Sequence, residues 1–214
     1  QGGDGSEGFA IFGIEEQDRA GVSVRSAGDV NGDGINDIMV GAPIANADTI
    51  DTGSSYVIFG SDTGFAAEFE LSSIDGTNGY AINGDPLFIT SSNDFTGYAQ
   101  SGGYDFDGDG ADDLLIGARG NESPTRANDN GSTYLVLGGE ANLEASDLAD
   151  GVQDGQIKAN ALAIDGVRAF EFEGVARSDQ SGFAVSGVND VNGDGIDDIL
   201  IGARKADAQS GEAY

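Results

Sequence analysis

Three stretches of the chain, "DVNGDGIND" from Asp29, "DFDGDGADD" from Asp105 and "DVNGDGIDD" from Asp190, set side-chain oxygens at matching offsets. Counted from the first aspartate, carboxylates or amides stand at positions 1, 3, 5 and 9. They are Asp29, Asn31, Asp33 and Asp37; Asp105, Asp107, Asp109 and Asp113; and Asp190, Asn192, Asp194 and Asp198. Position 6 is glycine in every copy: Gly34, Gly110 and Gly195. Acids packed this closely repel one another unless a positive charge sits among them, and the alternation folds them around one point.

A hard cation such as calcium takes about six to eight oxygens at about 2.3–2.6 Å, with a backbone carbonyl at position 7 and glycine at position 6 for the sharp turn. The carbonyls would be those of Ile35, Ala111 and Ile196. The expectation is three Ca2+ sites. Magnesium, which keeps several waters in an octahedron, fits less well, and zinc is poorly served in a chain without histidine or cysteine. The loops are not EF-hands. Position 12, where an EF-hand supplies a bidentate glutamate, is Val40, Ile116 or Ile201, inside an apolar run. The loop must close on the aspartate at position 9 and join two strands. A plain hairpin turn needs only a pair such as Asn-Gly, and explains neither the alternating carboxylates nor their repetition.

The elements that must hold these loops also repeat. A glycine stands eight residues before each loop (Gly21, Gly97, Gly182), and Gly41-Ala42-Pro43, Gly117-Ala118-Arg119 and Gly202-Ala203-Arg204 follow in phase. "FAIFG", "YAING" and "FEFEG" lie upstream, and "GSSYVIFG", "GSTYLVLG" and "GEAY" downstream. Each repeat reads as an aromatic-led strand, a strand running into the loop, an apolar strand after it and a tyrosine-led strand, forming a four-stranded antiparallel sheet. The apolar strands ("IMV", "LLI", "ILI") predict sheets covered on both faces, hence stacked. The units are 1–78, 79–168 and 169–214, the last reaching only the start of its fourth strand. The segments after Phe65 and after Glu140 are expected to be outer connections, the second with helical or extra-strand character around Leu143 to Leu148. Residues 119–132 read as a mobile surface loop.

These residues resemble the FG-GAP repeats of integrin alpha-subunit β-propellers and of bacterial secreted or surface proteins; "FAIFG" and "GAP" in the first repeat spell both halves of the name. The resemblance implies an all-β, β-propeller-like array of blades with calcium held in the hairpin loops. "GAR" replaces "GAP" in the later repeats. Propellers close with about four to eight blades, so three repeats leave a ring open. Either the segment belongs to a longer propeller, or two chains pair, or a neighbour supplies the missing strand in a head-to-tail assembly, for which the glycine-rich start through Gly13 is one source.

Composition narrows the function further. A net charge of −29 excludes nucleic acid as a partner and favours cations. No apolar run is long enough to span a membrane as a helix. Without histidine or cysteine, the common triad and thiol chemistries are closed, and the clustered carboxylates are claimed by calcium. Arg119 and Arg204 are expected to pair with local aspartates, and Tyr56, Tyr134 and Tyr214 to pack the sheets. The sequons at Asn121 and Asn130 read as chance. Calcium loops of extracellular grade bind at roughly 10⁻⁴–10⁻³ M, so they fill outside a cell. The expectation is a non-catalytic, extracellular or cell-surface structural or adhesion module of bacterial type, whose partners are calcium, further repeats or copies of itself, and protein or glycan ligands. The alternative is an accessory propeller domain of a larger secreted enzyme or carbohydrate-binding surface protein.

Overall fold

The structure, a computed structural model, describes residues 8–45, 52–84, 94–120, 130–159, 166–206 and 210–214. The early strands are β1 (Ala10–Phe12), β2 (Ser23–Gly28), β3 (Asp37–Ala42), β4 (Ser54–Ile58), β5 (Glu68–Glu70) and β6 (Gly79–Asn83). The middle of the chain forms β7 (Thr96–Tyr104), β8 (Asp113–Ala118), β9 (Ser132–Val136), a helix α1 (Glu140–Asp147) and β10 (Gln156–Lys158). Strands β11 (Ala169–Glu173), β12 (Ala184–Val188), β13 (Asp198–Ala203) and β14 (Glu212–Ala213) complete it.

The class is all-β, and the sheets are propeller-like blades. The first blade has the order β2-β3-β4-β6, with β10 added in parallel outside β6; the second is β7-β8-β9-β11; the third is β12-β13-β14. Each acidic loop is the hairpin between the two innermost strands of its blade, and the position-9 aspartate opens the strand that follows. Strand β7 lies against β2 on one side and β12 on the other, so the inner strands of successive blades are neighbours.

One expectation is corrected. The aromatic-led strand does not open its own sheet. Tyr80 in β6 pairs with Val57 in β4, and Phe170 in β11 pairs with Leu135 in β9, so each of these two aromatic-led strands joins the preceding blade as its fourth strand. Without it, the outer edge of the tyrosine-led strand would carry unpaired N–H and C=O groups, and the aromatic-led strand that follows satisfies them. Sequence phase cannot report which edge is filled. The long second connection contains α1 and the parallel strand β10, as its mixed pattern suggests, while the first contains β5, which pairs in parallel with β1.

Stacking explains why β3 and β8 are apolar at successive positions. Met39 and Val57 on one face of the first blade pack against Leu114, Ile116, Tyr134 and Val136 of the second. Leu115 and Leu135 on the second blade's other face meet Val185 and Ile199 of the third. The leading face of the first blade, with Val40, Tyr56 and Ile58, is covered by Ile11, Phe65, Phe69, Leu71 and Ile74 from the chain's own connections. Tyr56 and Tyr134 are buried as expected, but Tyr214 is half exposed, bonded through its backbone to Ile201.

The phased glycines lock blade to blade. A Cβ on Gly41 would collide with the Gly97 carbonyl oxygen, and one on Gly117 with that of Gly182. Gly97 and Gly182 in turn hold φ values of +81° and +75°, a region closed to most side chains. Replacing Gly117 by valine therefore forces the second and third blades apart. The expected cost is about 2–3 kcal/mol, read as a lowered urea midpoint.

Candidate metal centres

Each loop is built as a cage of side-chain acceptors around backbone donors. The position-1 aspartate accepts from the N–H of the position-6 glycine: Asp29 from Gly34 at 2.8 Å, Asp105 from Gly110 at 3.0 Å, Asp190 from Gly195 at 2.9 Å. Those glycines take φ of +90°, +96° and +92°, which is why a glycine is needed there. The position-5 aspartate accepts from the position-7 N–H, with Asp33, Asp109 and Asp194 bonded to Ile35, Ala111 and Ile196 at 2.8, 2.8 and 2.9 Å. The position-3 side chain accepts from the position-5 N–H at 3.0, 3.1 and 2.9 Å, through Asn31, Asp107 and Asn192. These turns set the side chains of positions 1, 3 and 5 beside one another, and all three are acids in the second loop.

The position-9 aspartates do a different job. Asp37 and Asp113 are buried, and each spends its two oxygens on two backbone donors. Asp37 accepts from Val30 at 2.9 Å and Gly60 at 2.7 Å; Asp113 accepts from Phe106 at 2.7 Å and Gly138 at 2.8 Å. They clamp the loop to the end of the tyrosine-led strand. In the third loop Asp198 accepts from Val191 at 2.8 Å and from the Asn192 amide at 3.0 Å. Burial pushes the Asp37 carboxyl up to about 6 and that of Asp113 up to about 7, against the lowering effect of their backbone donors, with neighbouring loop carboxylates raising them further. Asp190, fully exposed, is held below the ordinary aspartate value, chiefly by the Gly195 N–H.

The donor set fits a hard divalent cation. Asp105, Asp107 and Asp109 each offer a carboxylate oxygen, and these oxygens lie within 4.8 Å of one another. In the first loop Asp29 Oδ1 is buried without a hydrogen-bond partner, a placement that is costly unless a cation takes it. A bound calcium would supply positive charge only, neutralising the acids and favouring the ionised form of Asp37 and Asp113.

Spacing alone missed Asp112. Its carboxylate accepts from the Asp29 N–H at 2.7 Å while its own N–H donates to Asp29 O at 2.9 Å, tying the first loop to the second blade. The side chain of Val30, in the same loop, is wholly buried between the blades. Beside this loop a cleft of about 660 Å³ is lined by Asn31, Asp33, Asp75 and Glu144 together with Phe59 and Tyr80. Burial, then the charges of Asp147, Glu144 and Glu140, push the Tyr80 hydroxyl up to about 12.

The expected pairing of Arg119 and Arg204 with aspartates gives way to aromatic stacking. The Arg119 guanidinium sits 4.1 Å from the Phe95 ring centre and 4.3 Å from that of Tyr98, and Arg204 lies 4.9 Å from Phe183. A guanidinium is weakly hydrated and planar, so a ring face in a half-buried interface suits it. Replacing Arg119 by alanine is expected to cost about 1–2 kcal/mol in thermal or urea unfolding, whereas lysine retains only part of the stacking. Of the sequons, Asn130 is buried and donates its amide to Gly174 O at 2.9 Å, which removes it as a glycan acceptor in the folded chain. Asn121, most of the 119–132 loop and the first residues of the glycine-rich start lie outside the described residues.

Stacked antiparallel sheets with an acidic hairpin between their inner strands are consistent with FG-GAP β-propeller-like blades. A family model described as the FG-GAP repeat matches residues 20–58 and 181–214, spans that contain the first and third loops. FG-GAP repeats are thus found in this chain at those residues. It is similar to "Integrin alpha pat-2" of Caenorhabditis elegans, 37% identical over 110 residues, and to the protein of that name in Caenorhabditis briggsae, 35% identical over 114. "Integrin alpha-5" of Xenopus laevis is 32% identical over 110 residues. Each match takes in 51% of this chain but only 8% or 9% of the relative's length. Among the described residues no helix is long and apolar enough to cross a membrane.

Proposed function

We propose that the chain is a calcium-stabilised, non-catalytic structural or adhesion module that works outside the cell or at its surface. Its three Ca2+ sites would use the side chains at positions 1, 3, 5 and 9 of each loop, with the carbonyls of Ile35, Ala111 and Ile196 completing the set. The metal's role is to turn three repelling acidic hairpins into rigid joints at the ends of the inner strands. The observation that carries the reading is the threefold cage itself, with its aligned acids, positive-φ glycine and the unpartnered Asp29 Oδ1. Similarity to integrin alpha chains supports an extracellular, protein-binding setting, with further repeats, copies of the same chain, or protein or glycan ligands as partners.

Calorimetric titration tests it. Calcium added to chelator-treated protein is expected to fill about three sites with dissociation constants of roughly 10⁻⁴–10⁻³ M, while magnesium binds more weakly. No binding heat up to several millimolar calcium would reject the reading.

A further inference from the structure

The cleft beside the first loop gathers acids that nothing in the chain neutralises. Its walls are supplied by the first blade and by the connection that carries α1: Phe59 just after β4, Asp75 and Tyr80 around the entry to β6, and Glu140 and Glu144 on α1. Among the described residues none of Asp75, Glu140 and Glu144 meets a lysine or arginine. Glu140 and Glu144 stand one turn apart on a helix of eight residues that has no side-chain cap and no basic residue in its last turn. Like charges at that spacing weaken a helix, so a positive group between them is favoured. Asp75 is held in place by Thr77, whose N–H and hydroxyl donate to its Oδ1 at 3.0 and 2.6 Å. Behind the wall at Gly76 stands a further acid. Asp147 is wholly buried; its Oδ1 takes the N–H groups of Asp154 and Gln156 at 3.3 and 3.0 Å, and its Oδ2 has no hydrogen-bond partner. A Cβ on Gly76 would lie 3.4 Å from that oxygen.

Tyr80 points to a ligand independently of the acids. Only 3% of it is exposed, yet it lines the cleft, and its hydroxyl makes no hydrogen bond among the described residues. Asp147, Glu144 and Glu140 all act electrostatically on that hydroxyl. A buried hydroxyl without a partner is costly, and one set among carboxylates suits a donor that carries positive charge. The Phe59 ring packs edge-on to the Tyr80 ring with 5.7 Å between centres, so part of the wall is aromatic.

The arrangement does not suit a bare metal ion. Three carboxylate oxygens come within 4.8 Å of one another at Asp105, Asp107 and Asp109, and no acids of the cleft do so among the described residues. A cavity of about 660 Å³ is also far larger than an ion. Separated carboxylates in a partly aromatic cleft match ammonium groups spaced by methylene stems, whose heads meet the acids while the stems pack on the rings. We propose that this cleft binds an alkyl ammonium polycation, as a free polyamine or as the lysine side chains of a partner segment, held by Asp75, Glu140, Glu144 and the Tyr80 hydroxyl. These groups are not loop ligands, so the site stands or falls apart from the calcium reading.

Calorimetric titration of the whole chain with spermidine, in physiological salt and millimolar calcium, tests it; the calcium competes for any loop carboxylate. One spermidine per chain is expected, saturating below about 1 mM. Glu140→Gln combined with Glu144→Gln is expected to weaken binding about tenfold or more, since two charge-assisted hydrogen bonds are lost. Tyr80→Phe changes no charge and is expected to weaken it about three- to tenfold. Both variants should melt no lower than the wild type, because one relieves a repulsion and the other removes an unpartnered hydroxyl. Glu15→Gln combined with Glu16→Gln removes the same charge at an exposed turn outside the cleft and should leave binding within about twofold. The proposal is overturned by no saturable heat below about 1 mM. It is overturned equally by a Tyr80→Phe variant that binds like the wild type, or by a Glu15 and Glu16 variant as weak as the Glu140 and Glu144 one, which would show attraction to net charge alone. Trilysine in the same titration names the source: binding tighter than spermidine assigns a partner's lysines, and weaker binding assigns a free polyamine.

Discussion

Removing calcium is expected to lower the stability of the chain by about 4 kcal/mol. The figure follows from three sites, each contributing roughly 1.4 kcal/mol when calcium stands at ten times its dissociation constant. For a chain of this size that is a fall of roughly 8–15 °C in melting temperature. Thermal unfolding in millimolar calcium and in excess chelator measures it, and identical melting in the two would remove the structural metal. Asp33→Ala, Asp109→Ala and Asp194→Ala divide the effect among the loops. The first two are expected to couple, because Asp29 and Asp112 tie the first loop to the second across two hydrogen bonds. The third loop makes its side-chain hydrogen bonds within itself, so Asp194→Ala should add independently to either.

Asp113→Ala is expected to be as damaging, at about 4 kcal/mol, and for a reason that does not depend on metal. Asp113 is wholly buried, and truncating it strands the N–H groups of Phe106 and Gly138 without acceptors. Each buried unpaired donor costs about 1–3 kcal/mol. A typical domain has only about 5–15 kcal/mol in hand, so the variant should be partly unfolded once calcium is removed. Urea titrations in calcium and in chelator check this. Asp194→Ala should be harmful only in calcium, Asp113→Ala in both. Asparagine at 113 keeps one acceptor and turns an amide N–H₂ toward the other donor, so it should recover less than half of the loss. A variant with wild-type stability in chelator would show that the clamp is dispensable.

The two effects separate what looks like one motif. Positions 1, 3 and 5 of each loop are proposed cation ligands, whereas position 9 in the first two loops, Asp37 and Asp113, is first a hydrogen-bond clamp whose burial raises its pKa. Spacing gives both the same signature, since all are acids or amides at odd positions. Only burial distinguishes Asp113 from the exposed Asp109.

Much of the architecture was legible because it repeats. The alternating acids, the positive-φ glycine and the apolar strand are local features, and three copies in phase remove accident as an explanation. The apolar character of β3 and β8 correctly indicated sheets covered on both sides. The same reasoning applied to β13 meets an exposed Leu200, because an apolar pattern shows what a face is suited to bury and not whether a partner is present. Arg119 was misread for a related reason. In a chain this acidic a guanidinium is expected to find a carboxylate, but Phe95, Tyr98 and Phe183 converge on it only once two blades meet.

By itself, then, the amino-acid sequence determined the all-β class, the repeat, the hairpin that carries each acidic loop and the chemistry of cation those loops suit. Turn geometry and ligand type are set by residues a few positions apart, so they can be read along the chain. The tertiary structure decided which strand closes which blade, that Asp112 ties the first loop to the second while Asp113 clamps its own, and that the phased glycines are contact points between blades. Those outcomes depend on which sheet edges and faces find each other in space, and hydrogen bonding and close packing act between residues that the sequence leaves far apart.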